Sequence, residues 1–213
     1  MMHFRLTLPY GLCRDVAFSI APGECLLLAG PNGSGKTTLL RALARESDGE
    51  HGTAVLIPTG IPKVKGFTLE AFVRTGCFLE SDWAGRLSPQ LEARLDAALE
   101  RLGLVALRQR DLSSLSDGEF QKACIAIGLV RQARLLLLDE PTAYLDVTGR
   151  LQVLQTLSDV ARDTGTAVLF SSHDLHDALS AAHRVLAFTP GGFKESTPDN
   201  REQVLSMAFT EWQ

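Results

Sequence analysis

The chain has 213 residues, 45% of them hydrophobic and 22% charged, which suits a globular protein with a substantial buried interior and excludes a disordered tail. Its formal charge of -4 argues against a broad basic surface for nucleic acid, so affinity for polyphosphate has to be local. No apolar run approaches the ~18 residues needed to cross a bilayer, the opening MMHFRLTLPYG lacks the order of a secretory signal, and the scattered Cys13, Cys25, Cys77 and Cys124 fit reduced thiols in a cytoplasmic protein rather than a zinc site or disulfide framework.

Short strands are predicted over HFRLTL and CRDVAFSI, with a turn at Ala21-Pro-Gly-Glu24. Tyr10, between them, fits two roles: stacking on a nucleobase, or ending a strand half-buried. Cys25–Ala29 then reads as a buried strand leading into Gly30-Pro31-Asn32-Gly33-Ser34-Gly35-Lys36-Thr37, a complete G-x-x-x-x-G-K-[ST] loop followed by a helix over Thr37–Arg45. Each residue type answers a need of a triphosphate. Glycines let backbone N–H groups turn toward phosphate oxygens, the helix presents its positive end, Lys36 adds a point charge, and the Thr37 hydroxyl suits Mg²⁺. Nucleotide binding is therefore the leading expectation.

Thr53–Ile57 reads as a strand closed by Pro58, Gly60 and Pro62. From about Phe67 to Arg131 the chain is expected to be mainly helical, because Leu91, Leu95, Ala98, Leu99 and Leu102 recur at helical spacing and form a core stripe. At Leu112–Glu119 the sequence LSSLSDGE opens another helical segment. Ser116 and Glu119 have capping-box spacing, and Ser116 with the bare backbone of Gly118 also suits a second phosphate-facing helix start.

Leu135–Leu138 fits a strand buried on both faces that would deliver Asp139 and Glu140 at its C-terminal edge, where ligands sit in open α/β sheets. There Asp139 can hold Mg²⁺ through water and Glu140 can orient or deprotonate an attacking water. A helix over Gly149–Arg162 and a strand over Thr166–Ser171 follow, the latter ending at Ser172-His173-Asp174. His173 is either structural or placed on the same edge as Lys36 and Glu140. Val185–Phe188 gives a last strand, and the tail is polar, then weakly helical around Val204–Phe209.

Taken in order, GPNGSGKTT, LSDGE, LLLLDEP, YLD and SSHD resemble the motif set of the ATP-binding subunits of ABC transporters, over nearly the whole chain from Phe4 to about Phe188. The resemblance implies an α/β fold: a P-loop NTPase core with a mixed sheet flanked by helices, an antiparallel β subdomain and a helical subdomain. A single domain results, with residues 1–66 and 132–213 as the core and about 67–131 as the helical part. It makes Gly30–Thr38, with Pro31, Asn32, Ser34 and Thr38 among them, the Walker A loop. Leu115–Glu119 becomes the signature motif, Asp139 and Glu140 the Walker B pair, Asp146 part of the D-loop and His173 the switch histidine. It also implies a dimer closing on two Mg-ATP, each held between one copy's Walker A loop and the other's signature.

GFTLEAFVRTGCFLESDWAGRLSPQLEARLDAALERLGL is similar to the subfamily serving iron–siderophore, haem and cobalamin importers. That implies permease subunits in the membrane, an associated substrate-binding protein, no nucleic-acid partner, and a place on the inner face of the cell membrane. The chain departs from the family pattern at Thr59, which stands where most relatives have a Mg²⁺-contacting glutamine, at LSDGE in place of LSGGQ, and in a short segment between Tyr10 and Asp15. Asp117 and Glu119 bring negative charge toward an incoming phosphate unless they point away or cap the helix. A soluble ABC-type ATPase without a permease is the alternative function; a P-loop kinase or a non-hydrolysing nucleotide-binding module is a third.

Overall fold

The computed structural model describes residues 1–9, 15–46, 54–81 and 86–209. Near the N-terminus, β1 (Met2–Thr7) and β2 (Asp15–Ile20) pair antiparallel, and their alternation places Phe4, Val16, Phe18 and Ile20 on one buried face. The other strands are β3 (Cys25–Ala29), β4 (Ala54–Ile57), β5 (Leu135–Leu138), β6 (Ala167–Ser171), β7 (Arg184–Thr189) and β8 (Gly192–Glu195). They form one sheet in the order β4-β5-β6-β3-β7-β8, parallel except for the antiparallel β8.

The unbroken apolar runs have a direct explanation in this arrangement: both faces of the sheet are covered. Leu26, Leu28, Leu135, Leu137 and Leu169 face a cluster that includes Phe4 and Phe18 of the ribbon and Leu39, Leu40 and Leu43 of α1 (Lys36–Glu46). Leu27, Leu136, Leu138, Val168 and Phe170 face the opposite cluster. That second cluster takes in α5 (Val147–Thr164), α6 (Leu175–Ala181), α7 (Arg201–Met207) and the helical stretch between β4 and β5.

Within that stretch lie α2 (Leu69–Arg74), α3 (Pro89–Arg101) and α4 (Asp117–Val130), joined by short 3-10 turns. Thr68 and Ser88 cap α2 and α3 by accepting from Ala71 N and Leu91 N, and the predicted stripe of Leu91, Leu95, Ala98, Leu99 and Leu102 is buried. Helix α4 is apolar nearly all round because it is enclosed, with Gly128 lying against Leu136 of β5.

Some of the sequence expectations need correction. Val185–Phe188 is expected to be the last strand, yet β8 follows it with the Phe193 and Phe188 ring centres 5.1 Å apart, and α7 begins at Arg201 rather than near Val204. Short helix α6 was not anticipated, since seven residues carry too little periodicity to register. Helix α5 starts at Val147, ahead of the expected Gly149, because Asp146 caps it by accepting from Gly149 N at 2.7 Å.

Candidate functional site

Parallel pairing brings several strand ends to one edge. Leu28 pairs with Ser171 and Leu138 with Phe170, so the residues that follow β3, β5 and β6 emerge side by side. These are the Gly30–Thr37 loop, Asp139-Glu140 and Ser172-His173. Thr59 arrives on the same edge from β4, which pairs with β5 through Ile57 and Leu138.

The loop after β3 wraps a cleft of about 350 Å³ lined by Asn32, Gly33, Ser34, Gly35, Lys36, Thr37 and Thr38 together with Glu140. Gly30 has φ +153, and a Cβ there would meet Ser34 Oγ at 2.7 Å and Phe188 Cβ at 3.1 Å, so no larger residue fits. Pro31 O accepts from Ser34 N at 3.2 Å, closing the turn. Ser34 is fully buried and its hydroxyl finds no partner among the described residues, an orphan inside a loop shaped to receive oxygen atoms.

Lys36 folds back over its own loop, donating from Nζ to Gly30 O at 2.7 Å and Pro31 O at 3.1 Å. Burial lowers its pKa, opposed by the negative charges of Glu140 and Asp139. A phosphate entering the cleft offers this ammonium a full negative charge in place of carbonyl dipoles.

Asp139, itself buried, is held on three sides. Its Oδ2 accepts from Thr37 Oγ1 at 2.7 Å, its Oδ1 accepts from Ser171 Oγ at 2.9 Å, and its N–H donates to Ile57 O at 2.9 Å. Thr37, which lines the cleft, and Asp139 thus bring two hard oxygens together, a donor set suited to a small divalent cation. Thr59 stands beside them, and its hydroxyl donates to the Asp139 carbonyl.

Glu140 adopts φ +53, a conformation uncommon outside glycine, asparagine and aspartate. Its backbone N–H is held by Ser171 Oγ at 2.9 Å, and Oε1 lies 2.6 Å from His173 Nε2. The acid is thus fixed by a buried serine on its backbone and a histidine on its side chain, an arrangement that could serve general-base chemistry. Ser171 was read in the sequence only as the end of a strand. A buried polar residue at the C-terminal end of an otherwise apolar parallel strand was the signal for its role.

The signature segment lies elsewhere. Ser116, Gly118 and Glu119 line a separate cleft of about 700 Å³ that also includes Tyr144 and Asp146, not the phosphate loop. The capping box is formed: Glu119 Oε2 accepts from Ser116 N at 2.8 Å and Ser116 Oγ at 2.9 Å, while Ser116 Oγ accepts from Glu119 N at 3.2 Å. The Ser116 backbone N–H, followed by its hydroxyl, holds the Glu119 carboxyl below the ordinary carboxylate range against desolvation. Glu119 therefore serves Ser116, and Ser116 remains exposed to solvent. Asp117 is paired with Lys63, 2.7 Å away.

The structure thus gathers Gly30–Thr38, Asp139, Glu140, His173 and Thr59 along one edge and sets Ser116, Gly118, Glu119 and Asp146 apart from the phosphate loop. Tyr10 lies outside the described residues.

The family model for ABC transporters matches residues 13–143. The zinc import ATP-binding protein ZnuC of Roseobacter denitrificans is 38% identical over 206 residues, covering 91% of this chain and 76% of that protein. The iron(3+)-hydroxamate import ATP-binding protein FhuC of Bacillus subtilis is 30% identical, covering 95% and 86%. Among solved structures, a chain of a transporter described as metal-chelate type, in an inward-facing conformation, superposes with a TM-score of 0.79 at 25% identity, covering 92% of this chain and 83% of its own length. The ADP conformation of MJ1267, an ATP-binding cassette, shares the fold with a TM-score of 0.77 at 18% identity, covering 99% and 100%. With the phosphate loop, the acid pair and the capped signature helix in place, this chain belongs to the ABC transporter family, as one of its ATP-binding ATPase proteins.

Proposed function

We propose that this chain powers an importer by closing as a dimer on two ATP molecules, each bound between the Gly30–Thr38 loop of one copy and the Ser116–Gly118 turn of the other. The observation that carries this reading is the separation of the two phosphate-facing features within one chain: they line different clefts, and Ser116 is exposed. A second copy supplies what the first cannot reach.

In this reading Lys36 leaves its carbonyl partners for the β- and γ-phosphates, and the backbone N–H groups of the loop take the remaining phosphate charge. Thr37 and Asp139 would hold Mg²⁺, which when bound neutralises phosphate charge and orients the terminal group. Glu140 orients the attacking water or takes its proton, and His173 holds the Glu140 carboxylate in place. ATP favours the closed pair because only that state completes its site, and cleavage withdraws the bias. Residues 67–131 act as the helical subdomain that carries the signature turn, and Asp146 helps shape its neighbouring surface.

The partners of such a dimer are permease subunits in the membrane, which place the chain on the membrane's inner face. Among the described residues no helix is long and apolar enough to cross a bilayer, so attachment is through those subunits. For the cargo, the similarity to a hydroxamate import protein and the GFTLEAFVRTG segment favour a metal chelate such as a siderophore. The 38% identity to a zinc import protein supports free zinc as the second reading.

The test is Glu140→Gln, which should keep ATP binding and trap an ATP-dependent dimer in size-exclusion chromatography while phosphate release stops. A variant that binds ATP and stays monomeric would sink the two-copy site.

A further inference from the structure

Helix α4 spans 14 residues, and its first turn carries Asp117 and Glu119. Acids there stabilise the helix itself but oppose any second anion approaching the same N–H groups. Glu119 is bonded to Ser116 and lies in the field of Arg110 and Lys122. Asp117 has no such capping role, and its side chain is 60% exposed, at the place a partner's phosphate would enter.

Its charge is met by Lys63, which reaches over from the segment that follows β4. Lys63 Nζ lies 2.7 Å from Asp117 Oδ1, donates to Leu115 O at 2.6 Å, and stands 5.8 Å from the centre of the Phe120 ring. The same segment is tied at its other end, where Thr59 donates to the Asp139 carbonyl, and Pro58 and Pro62 stiffen the span between. One short run of chain therefore connects the carboxylate edge of the sheet to the signature turn. Lys63, Asp117 and Phe120 line a cleft of about 270 Å³ with Thr59, Asp139 and Glu140.

We propose that Lys63 is a positioning residue for the signature turn: its ion pair with Asp117 and hydrogen bond to Leu115 O fix the α4 N-terminus and cancel the charge that would repel a partner's γ-phosphate. The proposal rests on the two-copy reading above. Asp117 and Lys63 then work as a unit, an acid tolerated in the signature turn because a lysine from the preceding linker neutralises it.

The experiment measures the ATP concentration for half-maximal dimerisation of the full chain in the Glu140→Gln background. Lys63→Met should raise it about 10-fold, a shift comparable to one lost charge interaction. Lys63→Arg, which keeps the charge, should restore it. In an Asp117→Asn background the Lys63→Met effect should largely vanish, and in the Asp117 protein it should narrow as salt rises. A Lys63→Met defect of equal size with and without Asp117, or one indifferent to salt, would reduce Lys63 to a structural strut and overturn the proposal. So would the absence of any defect. Failure of the Glu140→Gln parent to dimerise with ATP would instead bring down the two-copy reading, and this inference with it.

Discussion

Lys36 and Ser171 show two ways a single residue controls this edge. Lys36 brings an ammonium to the phosphate cleft. Lys36→Ala should therefore abolish ATP binding, read by titration calorimetry, while the fold survives, because Lys36 stabilises only carbonyls of its own loop. Ser171 instead bridges Asp139 Oδ1 and the Glu140 N–H. Ser171→Ala should cost about 1–3 kcal/mol in denaturant unfolding, since it leaves a buried carboxylate oxygen and a strained N–H short of a partner. The same substitution should lower kcat for ATP hydrolysis more than it raises KM, because it releases Glu140 rather than the phosphate loop. Lys36 was legible from its motif. The role of Ser171 was not, because it depends on the register of β5 against β6, a contact between residues 32 apart in sequence.

Elements are joined here by close packing and by buried-edge charge. Gly128 lies so near β5 that an added Cβ would meet Leu136 Cδ1 at 2.6 Å. Gly128→Val should destabilise by about 1–3 kcal/mol through overpacking, measured by thermal or chemical unfolding. Glu70 ties α2 to its neighbours: its Oε2 accepts from Arg108 Nε at 2.8 Å and Gln109 Nε2 at 2.8 Å, its Oε1 from Arg74 Nε at 2.9 Å, and Arg74 continues to Glu92 at 2.8 Å. The Arg108 hydrogen bond, with help from Arg74 and against desolvation, holds the Glu70 carboxyl below its ordinary value of 4.5. A depressed folded-state pKa contributes stability above the unfolded value and loses it as pH falls through the folded one. Glu70→Gln should therefore lower stability at neutral pH and flatten the acid limb of a stability–pH profile. The leucine stripe of α3 was legible from its period. The Glu70–Arg74 pair has legible i,i+4 spacing, but the rest of the Glu70 network was not legible, because Arg108 comes from 38 residues further along the chain.

The molecule as a whole is a sheet whose phosphate-loop edge and Ser116 line different clefts, and under the proposed reading its activity is a property of two copies. Under that reading, co-expression with cognate permease subunits should retain this chain on the membrane fraction, and ATP with Glu140→Gln should raise the apparent mass to that of a dimer. The amino-acid sequence by itself determined the chemistry: a phosphate loop needs glycines, a lysine and a hydroxyl at fixed spacing, and such local backbone demands are written in adjacent residues. It also determined the strands covered on both faces, because burial on two sides requires unbroken apolar runs. The tertiary structure decided what depends on partners distant along the chain: Ser171 beneath the acid pair and Lys63 set against Asp117. Those roles follow from strand register and helix packing, which no local spacing encodes.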